Sequence, residues 1–163
     1  MTDQQESLTH GDETESAVPA ISPDEYSAFI QQIELQDIWL REARVTNNLG
    51  PQTPEQSTLK FEVDATWEPL PGGFRALHRY RVLFETTDEL LAEIDVTFGV
   101  DFTSDIPMTD EIFAIFQDVN LPVNTWPYLR EFVATVMSRM GWAIFTIPAF
   151  KTGITSPGGT RRT

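Results

Sequence analysis

The spacing of the apolar residues changes once along this chain, and that change limits the folds that it can adopt. Before residue 103 the apolar residues recur with a period of two, the period of a β-strand with one buried face. The four alternating segments are 33–45, 59–67, 74–86 and 90–102. From residue 109 onward the apolar residues recur at helical spacing instead. Four consecutive strands with short links predict an antiparallel meander.

The phase of the alternation slips inside the first of these segments. Ile33 and Leu35 alternate in one phase, whereas Ile38 and Leu40 alternate in the opposite phase. Because a slip of one residue moves every later side chain to the other face, this pattern predicts a β-bulge at residues 36–37.

The third and fourth segments carry opposite charges on their polar faces. Arginines lie on one of them and acidic residues on the other: Arg75, Arg79 and Arg81 against Glu93, Asp95 and Asp101. Opposite charges on neighbouring strands stabilise each other, so the sequence predicts cross-strand ion pairs.

Two helices are predicted after the strands. Thr109 is placed to cap the first, which has Asp110 and Glu111 in its opening turn and should end near Asn120. Pro127 begins the second, since proline suits the first turn of a helix. This second helix carries a broad apolar stripe: Tyr128, Leu129, Phe132, Val133, Val136, Met137 and Met140. The prediction is an α+β fold in which a four-stranded antiparallel meander precedes a short and a long helix.

Such a fold leaves apolar surface that one small chain does not cover. A single sheet with one long helix covers only one face of the sheet, and the helical stripe is wide. We therefore expect the stripe to be buried between the subunits of an oligomer.

The charge and the shortage of reactive side chains exclude several functions. The chain has 25 acidic and 11 basic residues, a formal net charge of −14, which disfavours binding to nucleic acid. With no cysteine and only two histidines, disulfides, thiolate chemistry and a multi-histidine metal site are excluded. No apolar run approaches the length of a membrane span. We expect no enzyme activity, no cofactor, no metal and no membrane insertion.

His78 is the one histidine outside the acidic N-terminal segment. A pair with Asp95 or Asp101 would form a general base. The alternation, however, places His78 with the apolar side chains and both acids on the opposite face. A buried core or interface histidine is therefore the favoured interpretation.

The two ends of the chain differ in composition from its middle. The first 40 residues hold nine acidic residues and no Lys or Arg. We interpret residues 1–25 as a disordered acidic tail and residues 151–163 as a disordered C-terminal tail, since neither can bury much apolar surface. The domain between them spans residues 26–150.

One part of the predicted long helix resembles a known family. Residues 126–131, with the sequence WPYLRE, and the later pair Ser138-Arg139 resemble the central helix of the SecB export chaperone family. Segments 30–33, 59–64 and 91–94 resemble strands of that family with lower specificity.

The resemblance implies a holdase, an ATP-independent chaperone that binds unfolded or export-bound polypeptides in apolar grooves. It implies a cytoplasmic homotetramer built as a dimer of dimers. From its place in the first turns of the second predicted helix, beside Pro127, we expect Arg130 to reach an acidic residue of a partner subunit. Carried over by position, the residues that line the client groove are Leu59, Phe61, Val63, Ile94 and Val96. Those that dock on the translocase motor are Asp37, Leu91 and Glu93.

Two departures from the export branch bear on the expected partners. Arg41 stands where the docking patch of the family has a further acid, and after Phe150 the chain lacks an amphipathic second helix. Both departures suit the SecB-like chaperones of toxin–antitoxin systems, which protect an aggregation-prone antitoxin and which also occur in viral genomes. An antitoxin and the translocase motor are both candidate partners.

A different class of function stays open at the level of sequence. A curved sheet with helices and an aromatic interior also describes a cone-shaped α+β domain that encloses a small molecule or a reaction site. His78, Tyr80 and the three arginines would then line the pocket. The 11 Phe, 4 Trp and 3 Tyr suit a plain core and an apolar peptide groove equally well.

Overall fold

The computed structural model of this chain describes residues 21–150. Within that range the elements follow the predicted order of strands before helix, with one additional helix at the start. They are α1 (Pro23–Gln32), β1 (Glu34–Asn47), β2 (Thr58–Leu70), β3 (Gly73–Glu85), β4 (Leu90–Thr103) and α2 (Asp110–Arg139). Thr109 caps α2 as predicted, because its hydroxyl accepts a hydrogen bond from the N–H of Ile112. The predicted α+β fold class is confirmed.

The four strands are antiparallel, but the first does not join the predicted meander. Their order across the sheet is β1-β4-β3-β2, so that β1 pairs with β4 and only β2, β3 and β4 follow one another as hairpins. The link between β1 and β2, residues 48–57, is longer than a hairpin loop and crosses the end of the sheet. The result is a Greek-key order with β1 and β2 at the two edges.

Strand β1 contains two β-bulges against β4. Its register shifts at Gln36 and again at Arg41. The first shift confirms the predicted bulge, and the second was not predicted. Together they keep Leu35, Ile38 and Leu40 opposite buried residues of β4, on the face of the sheet that carries the core.

Helix α2 is continuous where the sequence predicts a break. It contains both Pro122 and Pro127, so the predicted short and long helices are one element. Each proline removes a backbone hydrogen bond from the helix, which is the reason to expect an interruption. Leu121 and Leu129 are fully buried on either side of the prolines, and this packing outweighs the low helical propensity of proline.

Helix α1 was not predicted. Ser22 and Glu25 form a capping box, in which each side chain accepts a hydrogen bond from the backbone N–H of the other residue. Residues 23–25 are therefore helical rather than part of the tail 1–25, and residues 30–32 belong to a helix rather than a strand. Residues 1–20 of that tail and the whole of the tail 151–163 lie outside the described residues.

The core lies between one face of the sheet, the inner face, and helix α2. The N-terminal half of α2 and Phe29 of α1 cover an apolar cluster around Phe74 and Phe116. The C-terminal half of α2 covers a second cluster around Ile94 and Leu129. This packing buries the two central strands and leaves the edge strands β1 and β2 partly open.

The other face of the sheet, the outer face, carries the predicted ladder of ion pairs. Cross-strand contacts join β3 to β4: Arg75–Asp101 at 2.7 Å, Arg79–Asp95 at 2.6 Å and Arg81–Glu93 at 3.0 Å. Hydrogen bonds from Arg79 and Arg75 hold the pKa values of Asp95 and Asp101 below their ordinary values. The prediction of cross-strand ion pairs is confirmed.

Candidate functional site

The chain turns back along helix α2 after the helix ends. Gly141 follows the helix with a φ of 76°, a left-handed conformation that glycine adopts readily. The indole Nε1 of Trp142 then donates a hydrogen bond to the carbonyl of Gly50 at 2.8 Å, and its ring packs 5.5 Å from that of Phe84. The residues that follow, 143–150, form neither helix nor strand. We call residues 143–150 the strap.

Two side chains of α2 hold the strap by its main chain. The Nε of Arg130 donates to the carbonyl of Ile147 at 2.8 Å, and the Nε1 of Trp126 donates to the carbonyl of Pro148 at 2.7 Å. Residues four apart lie above one another on one side of a helix, so the two donors reach two successive carbonyl groups. The strap therefore runs antiparallel to α2.

Apolar side chains complete the contact between the strap and the domain. Ile147 is only 1% exposed and belongs to the core cluster under the C-terminal half of α2. The ring of Trp126 lies 5.7 Å from Phe61 on β2, 5.7 Å from Phe150 on the strap and 5.9 Å from Tyr80 on β3. The strap thus lies along the side of helix α2 that meets edge strand β2, and we call this region the β2–α2 groove.

Three of the five predicted client-binding residues lie beside this groove. Leu59 and Phe61 are half-buried on the inner face of β2, and Val63 on the same face is 51% exposed. Ile94 and Val96 are fully buried with the strap in place, in the same core cluster as Ile147, so neither is open in this structure. They lie on β4, a central strand that α2 covers, whereas β2 is an edge strand.

Most of the predicted oligomer-interface residues are core residues of their own chain. Five of them are at most 9% exposed and pack in the cluster between α2 and the sheet: Leu129, Val133, Val136, Met137 and Met140. For these five the interface prediction is wrong, because α2 lies along its own sheet and buries the stripe there. Phe132 is half-buried, and Tyr128 is 48% exposed and stays available to a partner.

The predicted docking residues do not form one patch. Asp37 is exposed and lies opposite Asp101 in the register, on the outer face. Glu93 lies on the same face near the other end of β4, where it binds Arg81. Leu91 is 4% exposed and packs in the core, so its prediction as an outward residue is wrong.

A buried polar network lies beside the groove. The Oγ1 of Thr125 lies 2.9 Å from Nδ1 of His78 and 2.8 Å from the hydroxyl of Tyr80, and it donates to the carbonyl of Leu121 at 3.1 Å. Since Thr125 gives its proton to Leu121, His78 and Tyr80 both donate to Thr125. Burial lowers the pKa of His78 to about 3, so its ring is neutral at neutral pH.

We expect Thr125→Val to lower the free energy of unfolding by about 2 kcal/mol. Valine keeps the shape of threonine but leaves the donors of His78 and Tyr80 without an acceptor. Thr125→Ser keeps the hydroxyl and is the matched control, expected to cost less. Denaturant unfolding followed by tryptophan fluorescence measures both variants, and equal losses would contradict the network.

Among the described residues, neither a catalytic dyad nor a small-molecule pocket forms around His78. Asp95 and Asp101 lie on the outer face bound to arginines, whereas His78 and Tyr80 are at most 1% exposed within the core. A surface depression of about 410 Å³ lies elsewhere, beside Ser138 near the end of α2.

Across residues 21–150, no group of three or more His, Asp or Glu is arranged to hold a metal ion. In the same range, no helix is long and apolar enough to cross a membrane.

Large apolar side chains are exposed on β1, on β2, on α2 and on the strap. Their exposed fractions run from 41% to 59%: Leu35, Leu40, Val45, Val63, Val119, Val123, Tyr128, Ile144 and Phe145. Strand β1 is also a long edge strand, and β4 is its one neighbour within the described residues. Leu35, Leu40 and Val45 share the inner face of β1, and a contiguous apolar surface is typical of interaction sites.

The sequence did not identify Trp126 and Arg130 as groove residues. Both lie in the WPYLRE segment, but Arg130 was expected to reach an acidic residue of a partner subunit. It binds the carbonyl of Ile147 in its own chain instead. Two signals could have identified the groove: the spacing of four between two N–H donors on one helix, and the uncharged segment that follows.

Comparison with known proteins establishes the fold. No protein-family model matches the chain, and no curated protein sequence matches it. Among solved structures the chain is similar to the SecB-like chaperone Rv1957 of Mycobacterium tuberculosis, solved in complex with a ChAD peptide from the Rv1956 HigA1 antitoxin. The match has a TM-score of 0.68 at 17% sequence identity and covers 79% of this chain and 99% of that chain. The predicted SecB-like fold is confirmed.

Proposed function

We propose that this chain, which has the SecB-like fold, is an ATP-independent holdase and not an enzyme. It binds unfolded polypeptides as extended segments in the β2–α2 groove. The observation that carries the proposal is the strap, an apolar segment outside any helix or strand that this groove holds by two main-chain carbonyls and by the buried Ile147. A site that holds one such segment has the chemistry to hold others.

Physical chemistry favours broad recognition at this site. Every polypeptide carries backbone carbonyls, so the donors of Trp126 and Arg130 do not select a sequence. Apolar walls bind any exposed apolar side chain, because the hydrophobic effect is not directional. The sequence contains no phosphate-binding loop, which agrees with binding that needs no nucleotide.

The solved neighbour indicates which clients to test first. Because that SecB-like chaperone was solved with a peptide from an antitoxin, we propose an antitoxin segment as one client class. Export-bound polypeptides are the second class. Docking on the translocase motor has weaker support, because Leu91 is buried and Glu93 is engaged by Arg81.

We further propose that the chain assembles as a homotetramer, a dimer of dimers, in the cytoplasm. Two surfaces support an assembly: the edge of β1, which no strand within residues 21–150 covers and where Leu40 is half exposed, and the exposed side chains Val119, Val123 and Tyr128 on α2. An unpaired edge of this length invites pairing with another strand. The net charge of −14 keeps such an assembly soluble and disfavours nucleic acid as a partner.

The proposal is tested by suppression of aggregation. A reduced, unfolded model protein is diluted into buffer with and without the purified chain, and its aggregation is followed by light scattering. We expect suppression at near-stoichiometric ratios with no effect of added ATP. An equal mass of an unrelated acidic protein is the control for charge. Aggregation that continues unchanged would overturn the proposal.

A further inference from the structure

We propose that the strap is a built-in competitor for the β2–α2 groove, and that a client binds by displacing it. This inference rests on the holdase function proposed above and adds the partner chemistry and the regulation of its site. The occupant that the groove accepts is an extended, uncharged segment with an apolar side chain and, three residues later, an aromatic one. Ile147 and Phe150 have that spacing in the strap.

The strap has the composition of a client rather than of this chain. Charged residues make up 22% of the chain, but the strap sequence AIFTIPAF contains none. Pro148 has no N–H and cannot extend a strand ladder, so the strap is held at its carbonyls and side chains and not as a fifth strand. Those are the groups that any extended apolar segment offers.

The groove recognises both the backbone and the side chains of a bound segment. Arg130 and Trp126 bind two successive carbonyls, which fixes the direction of an extended chain along α2. The buried site of Ile147 and the half-buried ring of Trp126 then select apolar and aromatic side chains. A client bound in the same direction as the strap would make the same four contacts: the two carbonyl hydrogen bonds, the site of Ile147 and the ring of Trp126. The client and the strap therefore exclude each other.

The strap is held weakly enough to exchange. Ile144 and Phe145 are 59% and 44% exposed, and no ladder of backbone hydrogen bonds to other residues in the range 21–150 secures this segment. Segments with few buried contacts open at low free energy. The apparent affinity for a client equals the intrinsic affinity multiplied by the fraction of molecules with an open groove, so loosening the strap must strengthen client binding.

The test compares substitutions within the strap. Phe150→Ala removes the ring against Trp126, and Ile147→Ser removes the buried side chain. Ile144→Ser, on the exposed part of the strap, is the matched control. Full-length proteins are titrated with a reduced, unfolded model protein labelled with a fluorophore. We expect Phe150→Ala and Ile147→Ser to lower the apparent Kd by at least about threefold relative to wild type and to Ile144→Ser. An equal or higher Kd would overturn the inference.

A peptide in trans separates this inference from the holdase proposal. A labelled peptide of residues 143–150 is titrated against the same proteins by fluorescence anisotropy. Tighter binding to Phe150→Ala than to wild type supports the strap as an occupant of the groove, even if Ile147→Ser fails to fold. If the peptide bound Phe150→Ala more tightly than wild type but neither protein bound the unfolded model protein, the strap inference would stand and the holdase proposal would be wrong. Binding of the peptide to neither protein would overturn the strap inference.

Discussion

Val133→Asp is expected to unfold the chain rather than to dissociate an assembly. Val133 is fully buried between α2 and the sheet, in a cluster without charged residues. An unpaired carboxylate there costs on the order of 4 kcal/mol or more, a large part of the stability of a domain of this size. Circular dichroism should show loss of the folded signal, and sedimentation should show an unfolded or aggregated chain.

Val123→Asp, on the same helix, is the matched control. Val123 is 50% exposed, and we place it on the assembly surface of α2. We expect this variant to keep its circular dichroism spectrum and to sediment as a smaller species than wild type. If Val133→Asp instead gave a folded, smaller species, the helical stripe would be an interface, and its assignment to the core would be wrong.

Phe61→Ser is expected to weaken binding of an unfolded client about tenfold, the loss of one large apolar contact worth about 1.5 kcal/mol. Phe61 is half-buried against Trp126 at the wall of the groove, so serine removes apolar surface where a client would lie. The measurement is a titration of the reduced, unfolded model protein, with the oligomer size followed in parallel.

Thr66→Ser is the control for Phe61→Ser, because Thr66 lies on the same strand and pairs with Leu77 on the outer face. It should bind the client as wild type does. Equal affinities of Phe61→Ser and wild type would make Phe61 a core residue only and would move the groove elsewhere on the domain.

Local patterns were enough to predict the strands, but not their arrangement. The alternation in 59–67, 74–84 and 92–102 reports which residues share a face, and the structure confirms it. At the start of β4 a register shift buries Leu91 and exposes Leu90 instead. The position of β1 depends on the path of the loop 48–57, and the alternation of apolar residues does not show which strand β1 pairs with. Periodicity is local, whereas strand order follows from the whole chain.

The errors on α2 have a single cause. The apolar stripe was correctly recognised, but we expected it to pack against another subunit, because a single helix seemed too short to cover the sheet. With Pro122 and Pro127 inside it, α2 spans 30 residues and covers both core clusters. The stripe is therefore used within the chain, and other residues of α2 are left for partners.

The candidate site was predicted in part. Leu59, Phe61 and Val63 were predicted from the resemblance to the SecB family, and only their shared apolar face is visible in the sequence as alternation. The donors Trp126 and Arg130 could not be assigned, because their role depends on a segment that returns from the end of the helix. Contacts between residues that are distant in sequence cannot be assigned without the three-dimensional structure.

Site-specific photocrosslinking tests the central claim most directly, that unfolded polypeptide is held in the β2–α2 groove. The chain has no cysteine, so a single introduced cysteine can carry the photoreactive label. Val63→Cys, at the exposed position beside the groove, is compared with Thr66→Cys on the outer face of the same strand. With a reduced, unfolded client and no nucleotide, we predict crosslinks from position 63 and few or none from position 66. Equal crosslinking from both positions, or crosslinking from position 66 alone, would contradict the account.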